Sequence, residues 1–560
     1  MSAARASLGN PLAVAWRPVG DCALLLEAGD PDGARHLAET LVEAGWPGVV
    51  DVVGGLRTVL VVVDPARADP AALGAALRPP PPRSAGTAAG RHLVVPVTFD
   101  GPDLHRVASM ARTEAADVVA ELTAARLQVA MIGFSPGFAY LAGLPEPLRA
   151  VSRRPEPRPA VPPGSLGVAG GFAGLYPQRT PGGWQIVGRT DQCLFDPLNP
   201  PYSLLRPGDR VQLRSRGRAG EAPRPGADGR DRAPWSLPAG SAAVLEVAEP
   251  GLLTTVQDAG RSGVAGLGVP AAGPADPVAH RLANRLVGNP AEAAALEATA
   301  RGPVLRVRST TYVALVGGGM AATLDGRPVE AGRVVPVSAG QRLALGEART
   351  GLRGYLAVRG GLSVPRMLGS ASTDTLTWLG PGPLVAGDLL GTGRPAGPLA
   401  DHVRPGTPDA AATPGGRRVL RVLRGPHPEW FGPRAFESLV TSRFEVAPHS
   451  DRVGVRLRPV GGRPLPRAPG EIDSQGMVTG AIQVPPNGEP VVLLPDHATL
   501  GGYPVIAVVI WADLPILGQC RPGDVLELRA VDAAAAAVAR RARERELDQA
   551  VAGRYPVVPA

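Results

Sequence analysis

The chain has 560 residues and a net charge of +8, and all 58 of its Lys+Arg residues are Arg. Without lysine it cannot carry covalently bound biotin, form a lysine Schiff base or hold phosphate with a P-loop lysine. Hydrophobic content of 44% supplies real cores, and 72 Gly and 63 Pro interleaved with short apolar runs predict many short strands joined by tight turns.

Residues 10–82 read as a small α+β unit. A hairpin turns at Gly20-Asp21, and Asp30-Pro31 opens a helix with Leu37, Leu41 and Val42 on one face. Strands follow at 49–53 and 57–63, then a short helix at 70–77, and Pro79–Pro82 ends the unit as a stiff linker. Residues 88–213 begin with a strand and two helices (103–110 and 113–124), then break into short Gly/Pro-punctuated runs that predict a β-barrel. Residues 214–238 are poor in aliphatic bulk and read as a linker. Residues 239–392 predict a second β-barrel with one helix, capped by Asp276 and ended at Gly288. A second linker at 393–417, a third barrel at 418–531 and a helical tail at 532–560 complete the chain.

Cys22, Cys193 and Cys520 are far apart and show no CxxC spacing, which argues against a disulfide framework or zinc site. The arginines are scattered with few aromatics among them, so no nucleic-acid partner is expected. No leader and no long apolar span stand out, so the expectation is a cytoplasmic protein with no membrane partner. An internal echo is visible. Val161-Pro-Pro-Gly-Ser165, Gly182-Gly-Trp184 and Arg206-Pro-Gly-Asp209 recur in order as Val484-Pro-Pro-Asn-Gly488, Gly501-Gly-Tyr503 and Arg521-Pro-Gly-Asp524, which predicts a duplicated barrel.

The segment Gly133-Phe-Ser-Pro-Gly-Phe-Ala-Tyr140, followed by Val161-Pro-Pro-Gly-Ser165, Gly174-Leu-Tyr-Pro177, Pro181-Gly-Gly-Trp184 and Gly188-Arg-Thr190, resembles the B component of 5-oxoprolinase, the allophanate hydrolase subunit 1 family. Thr254-Thr-Val-Gln-Asp-Ala-Gly-Arg261, Leu296-Glu297, Leu368-Gly-Ser370, Ser450-Asp-Arg452, Gly480-Ala-Ile-Gln-Val-Pro485, Asp496 and Gly501-Gly-Tyr-Pro504 resemble the C component, the allophanate hydrolase subunit 2 family. The resemblance implies a β-rich α+β fold, with a small ferredoxin-like N-terminal domain followed by cyclophilin-like β-barrel domains. It implies an ATP- and Mg²⁺-dependent opening of 5-oxoproline to glutamate, in which the lactam oxygen is phosphorylated and a separate homologue of the 5-oxoprolinase A component completes hydrolysis. An oligomeric assembly is expected. The same modules resemble the carboxyltransferase part of urea carboxylase, whose biotin would have to come from another chain. A third reading is a regulatory binding protein, since B-component homologues are also inhibitors of a histidine kinase. Phe172, Ala173, Ala498 and Leu500 stand where family members often carry polar residues, which, if these positions touch substrate, implies either a different specificity or a weak activity.

A resonance-stabilised lactam opens when its oxygen becomes a leaving group, which calls for phosphate donors, a carboxylate for Mg²⁺ and polar groups that orient the ring. In a lysine-free chain the donors are Arg and backbone N–H. Asp496, Arg452, Asp451 and Arg189 are the catalytic candidates, with Asp496 also the candidate metal ligand. Arg158, Ser165, Tyr176, Trp184, Asp258, Arg261, Gln483, Tyr503 and Gln519 are the candidates for binding substrate or nucleotide. Plainer roles stand beside these: Asp258 as a turn cap, Arg452 as a partner of a neighbouring acid, Trp184 and Tyr503 as barrel core.

Overall fold

The computed structural model describes residues 14–78, 90–217, 234–237, 242–404 and 417–553. The Pro79–Pro82 linker, most of the linker at 214–238 and residues 405–416 of the linker at 393–417 lie outside the described residues.

The N-terminal unit runs β1 (Trp16–Pro18), β2 (Ala23–Glu27), α1 (Pro31–Ala44), β3 (Val49–Gly54), β4 (Thr58–Val63) and α2 (Pro70–Ala76). Asp30 caps α1 by accepting the Gly33 N–H at 2.7 Å. The sheet is antiparallel throughout, in the order β1-β2-β4-β3. A ferredoxin-like plait runs βαββαβ, whereas this unit runs ββαββα. A hairpin at Gly20, with φ 69°, lays the edge strand beside β2 before α1 begins, so the edge comes from the start of the unit and not from its end. Leu24, Leu26, Val59 and Val61 face Leu37, Leu41 and Leu73 of the helices. Ala23, Leu25 and Leu60 face the other way, into a core shared with the barrels. Burial on both faces is why these strands read as unbroken apolar runs. Val42, expected on the buried helix face, is 65% exposed because the stripe follows Ala34, Leu37 and Leu41.

The next body contains β5 (His92–Val97), α3 (Leu104–Ala111), α4 (Ala115–Ala124), β6 (Leu127–Ile132), β7 (Ala139–Ala142), α5 (Glu146–Arg149), β8 (Arg158–Val161), β9 (Ser165–Ala169), β10 (Phe172–Leu175), β11 (Thr180–Gly182), β12 (Gln185–Arg189) and β13 (Arg210–Ser215). Its seven-stranded sheet runs β5-β13-β6-β7-β10-β9-β12, and a Thr98–Arg189 bridge returns β12 to the end of β5. The strands 417–424, 525–530, 443–446, 454–459, 491–493, 481–483 and 505–509 form a closed barrel in the corresponding order. In each ring the first and last strands pair in parallel. In each, an Asp of the Arg-Pro-Gly-Asp turn pairs with an Arg at the start of the first strand: Arg91–Asp209 at 2.5 Å and Arg418–Asp524 at 2.8 Å. Each ring also carries a two-stranded flap, β8 with β11 in the first and 475–476 with 500–501 in the second. The chain therefore contains a duplicated ring.

Between the rings, residues 242–404 form a two-sheet sandwich, not a third ring. A seven-stranded and a five-stranded sheet enclose one core that includes Leu245, Leu296, Leu305 and Leu356. Its helix α6 (Pro277–Leu286) is capped by Asp276, which accepts the Val278 and Ala279 N–H groups. The described residues 393–404 are not free linker, since Leu399 and Ala400 are buried against α6 and its sheet. The helix Ala533–Gln549 docks Ala536 and Ala539 beside Trp511, and Leu547 beside Val278 and Leu282, so its apolar face is used within the chain. No helix among the described residues is long and apolar enough to cross a membrane.

Candidate functional site

The bodies meet along one seam. A single core joins Leu25 and Leu60 of the N-terminal unit, Phe138, Tyr176 and Trp184 of the first ring, and Met477 and Leu500 of the second. A Gly/Ala/Pro-rich strap, residues 260–276, runs through this seam. Equivalent loops of the two rings hold it. Between β6 and β7, Gly137 N–H donates to Leu267 O at 2.8 Å. Between 443–446 and 454–459, Arg452 donates to Gly273 O at 2.6 Å. The fit is tight: a Cβ on Gly268, with φ 78°, would lie 2.5 Å from Ser135 O, and one on Gly133 would lie 2.2 Å from the Leu500 side chain.

At the second-ring end the strap meets a buried ion lock. Arg452 grips Asp496 in two-pronged fashion at 2.8 and 2.9 Å and also pairs with Glu297. Thr375 donates its N–H and hydroxyl to Asp496 at 2.9 and 2.7 Å. Glu297 accepts the Tyr355 hydroxyl and the Ala275 N–H, and Arg353 lies 3.4 Å away. Burial opposes the charge on Glu297, but Arg452, Arg353 and these hydrogen bonds outweigh it and hold the carboxyl below its ordinary range. Gln519 ties the lock to α6. It donates to Asp276 at 2.8 Å and to Arg353 O, and accepts the Leu352 and Arg353 N–H groups. Beside Asp496, burial first and the neighbouring carboxylate second push Asp374 up to about 7. Asp258 accepts from Ser370, Ser372, Ala371 and Gly260, and Arg261 donates to Met367 O and Ser372 O, so this pair pins the 367–373 loop.

The seam thus brings together Asp496, Arg452, Asp258, Arg261 and Gln519, but as a nearly saturated bonding network. Asp496 is no metal ligand in this arrangement. It is fully buried and both its oxygens are taken by Arg452 and Thr375. No group of three or more His, Cys, Asp or Glu among the described residues is placed to hold a metal ion. Asp451 is exposed and only closes a turn, accepting the Val453 and Gly454 N–H groups.

At the first-ring end the seam is aromatic. Phe138 stands edge-on to Phe134, Tyr140, Tyr176 and Trp184, and Tyr140 edge-on to Phe172 and Trp184. Each such pair contributes ~0.5–1.5 kcal/mol beyond burial. Tyr176 and Trp184 are therefore core as well as seam. Gln483 donates towards Met477 S and Tyr503 O, next to the second flap. Ser165 donates to Pro162 O at 2.7 Å, which closes its own turn. Arg158 is taken up by Asp103 at 2.7 Å, and Arg189 pairs with Asp100 at the rim, away from the seam.

Some buried polar capacity has no partner among the described residues: the hydroxyls of Ser135, Thr180 and Thr499, and Arg261 Nη1. Thr180 and Thr499 occupy equivalent places, each two residues before the Gly-Gly pair of its flap. Sequence reading did not single out these hydroxyls, nor Glu297, Arg353, Asp374 or Thr375 as site residues. Ser135 and Glu297 did lie inside the family-like motifs, whereas the Ser370–Thr377 run of small polar residues was the available signal for Asp374 and Thr375.

Comparison with known proteins agrees with this layout. Residues 14–205 match the family described as carboxyltransferase domain, subdomain C and D, and residues 267–530 match subdomain A and B. The chain is 36% identical over 312 residues to the C component of 5-oxoprolinase from Escherichia coli K12, covering 55% of this chain and 97% of that protein. It is 36% identical over 205 residues to the B component of 5-oxoprolinase from Escherichia coli O157:H7, covering 35% of this chain and 93% of that protein. The solved structure of TTHA0988 superposes with a TM-score of 0.79 at 37% identity, covering 90% of this chain and 99% of that one. The chain thus belongs to the carboxyltransferase-domain family, with one half like the B component and one half like the C component of 5-oxoprolinase joined in one polypeptide.

Proposed function

We propose that this chain is the fused B–C component of an ATP-dependent 5-oxoprolinase. It would activate the lactam oxygen of 5-oxoproline, with ATP as co-substrate, and a separate A-component homologue would complete the opening to glutamate. The observation that carries this reading is the seam. The two halves, each similar to one 5-oxoprolinase component over nearly that component's whole length, close on a single strap held by equivalent loops of both rings. A lactam offers one carbonyl acceptor, one N–H and a carboxylate in a small ring. The buried hydroxyls of Ser135, Thr180 and Thr499, without partners among the described residues, are donors suited to such a ligand.

The test mixes the purified chain with its cognate A component, Mg-ATP and 5-oxoproline and measures glutamate and ADP. Equal amounts of both are expected, and absence of ATP-dependent glutamate would overturn the reading. The carboxyltransferase name of the matching family favours a second reading, in which an amide is carboxylated from biotin on another protein. Activity that requires a biotinylated partner and bicarbonate would select it.

A further inference from the structure

Asp51 sits in a strand of valines (Val49-Val-Asp-Val-Val53) and is 7% exposed. A carboxylate there loses solvation that a strand of this composition cannot replace. Its partners lie outside its own unit. Asp51 Oδ1 accepts the Ala265 N–H at 3.0 Å, and the neighbouring Val50 O accepts the Gly263 N–H at 3.0 Å. Val52 O packs so close to Gly266 that an added Cβ would lie 3.0 Å away. These contacts seize the single turn Ala265–Leu267 at the head of the strap. The same turn bonds the first-ring loop through Leu267 O and Gly137 N–H, and Gly268 abuts Ser135 O. A continuous path therefore runs from Asp51 through Ala265 and Leu267 to the loop that carries Ser135.

We propose that Asp51 is a positioning residue, through which the N-terminal unit fixes the 263–268 turn and, by way of it, the Gly133–Phe138 loop. Burial pushes the Asp51 carboxyl up to about 6, held down in part by the backbone N–H groups of Ala265, Gly263 and Val264. A side chain with only a strand to fill has no reason to bear that cost. Phe134, at the centre of the loop, holds a left-handed φ of 68°, a conformation that persists only when its surroundings enforce it. The N-terminal unit thereby acts on the seam without contributing a group to the ion lock.

Amide hydrogen exchange on the whole chain tests the clamp without reference to any activity. In Asp51→Ala, exchange should accelerate about tenfold or more at both 263–268 and 133–138, the effect of losing one charge-assisted hydrogen bond. The strand Leu127–Ile132 should stay protected. Asp51→Asn keeps an acceptor oxygen for Ala265 and should behave like the wild type. If Asp51→Ala does not fold, Gly266→Ala loosens the same contact from the strap side and should give the same paired acceleration. Acceleration at 263–268 alone, with 133–138 unchanged, overturns the clamp. The activity arm rests on the 5-oxoprolinase reading. With the A component present, Asp51→Ala should lower kcat about tenfold with little change in KM and in Tm, and Asp51→Asn should restore it. An unchanged kcat overturns the positioning role. A wild-type chain that makes no glutamate removes the 5-oxoprolinase reading, and the exchange result still decides the clamp.

Discussion

Replacing Arg452 with Met should open the seam at the ion lock. The substitution keeps an unbranched stem but removes both bonds to Asp496, the bond to Glu297 and the bond to Gly273 O. Asp496 and Glu297 are each fully buried, and Arg452 is 2% exposed, so water does not screen the charges left behind. Breaking a buried pair of this kind costs about 3–5 kcal/mol. Arg353 at 3.4 Å from Glu297 keeps the loss towards the lower end, while Asp496 retains only Thr375. Urea unfolding followed by circular dichroism measures the loss, and a cycle with Asp496→Asn isolates the pair, with an expected coupling of about 2 kcal/mol or more. The pH dependence has a fixed sign. Glu297 titrates below its ordinary value of 4.5 in the folded chain, so its contribution is complete above that pH and fades as pH falls through the folded value. The deficit of Arg452→Met should therefore be largest at neutral pH and shrink in acid. A coupling below about 0.5 kcal/mol, or a deficit that grows in acid, would refute the buried-pair reasoning.

Gly133→Ala places a methyl group 2.2 Å from Leu500, and should destabilise by about 1–3 kcal/mol as an overpacked core. Adding Leu500→Ala should recover part of that loss, and thermal melts of the single and double variants check it. Asp374, raised to about 7, should show the infrared carbonyl band of a protonated carboxyl that vanishes as pH rises through neutrality, and Asp374→Ala should lack the band. Because its folded value lies above its ordinary one, Asp374 favours the folded state at low pH and loses that contribution as pH rises through about 7. The equivalent ring pairs should differ in strength. Arg418 is 1% exposed and Arg91 is 46% exposed, so Arg418→Ala should cost about 3 kcal/mol and Arg91→Ala under about 1 kcal/mol by urea unfolding.

The duplication was legible in the sequence, though not every repeated motif is equivalent in space. The Gly-Gly-aromatic and Arg-Pro-Gly-Asp repeats do occupy corresponding places, before β12 and 505–509 and before β13 and 525–530. Val161-Pro-Pro and Val484-Pro-Pro do not: the first precedes β9, whereas the second follows 481–483, the strand that corresponds to β9. The true companion of the Gly-Gly repeat lies just before it. Leu175-Tyr-Pro177 leads to Thr180, and Leu493-Leu-Pro495 leads to Thr499 with one residue more between them, in the stretch that contains Asp496. Prolines mark tight turns wherever the chain bends, so matching prolines alone cannot tell corresponding turns from chance ones. The partners of the ion lock were not legible at all. Arg452 and Glu297 are 155 residues apart and lie on different bodies, and periodicity carries no information about such pairs.

The corresponding loops of the two rings meet the strap in different ways. In the first ring the loop is Phe134-Ser-Pro-Gly-Phe138, which meets the strap through a backbone N–H and leaves a buried hydroxyl without a partner among the described residues. In the second the corresponding loop is His449-Ser-Asp-Arg-Val453, which meets the strap through a guanidinium whose other bonds are filled by two carboxylates. A filled network holds position, because moving any member leaves a buried charge unpaired. A network with open donors has capacity left for a ligand. Arg452 and Asp496 thus anchor the strap at the second-ring end, while at the first-ring end the Ser135 hydroxyl is without a partner among the described residues.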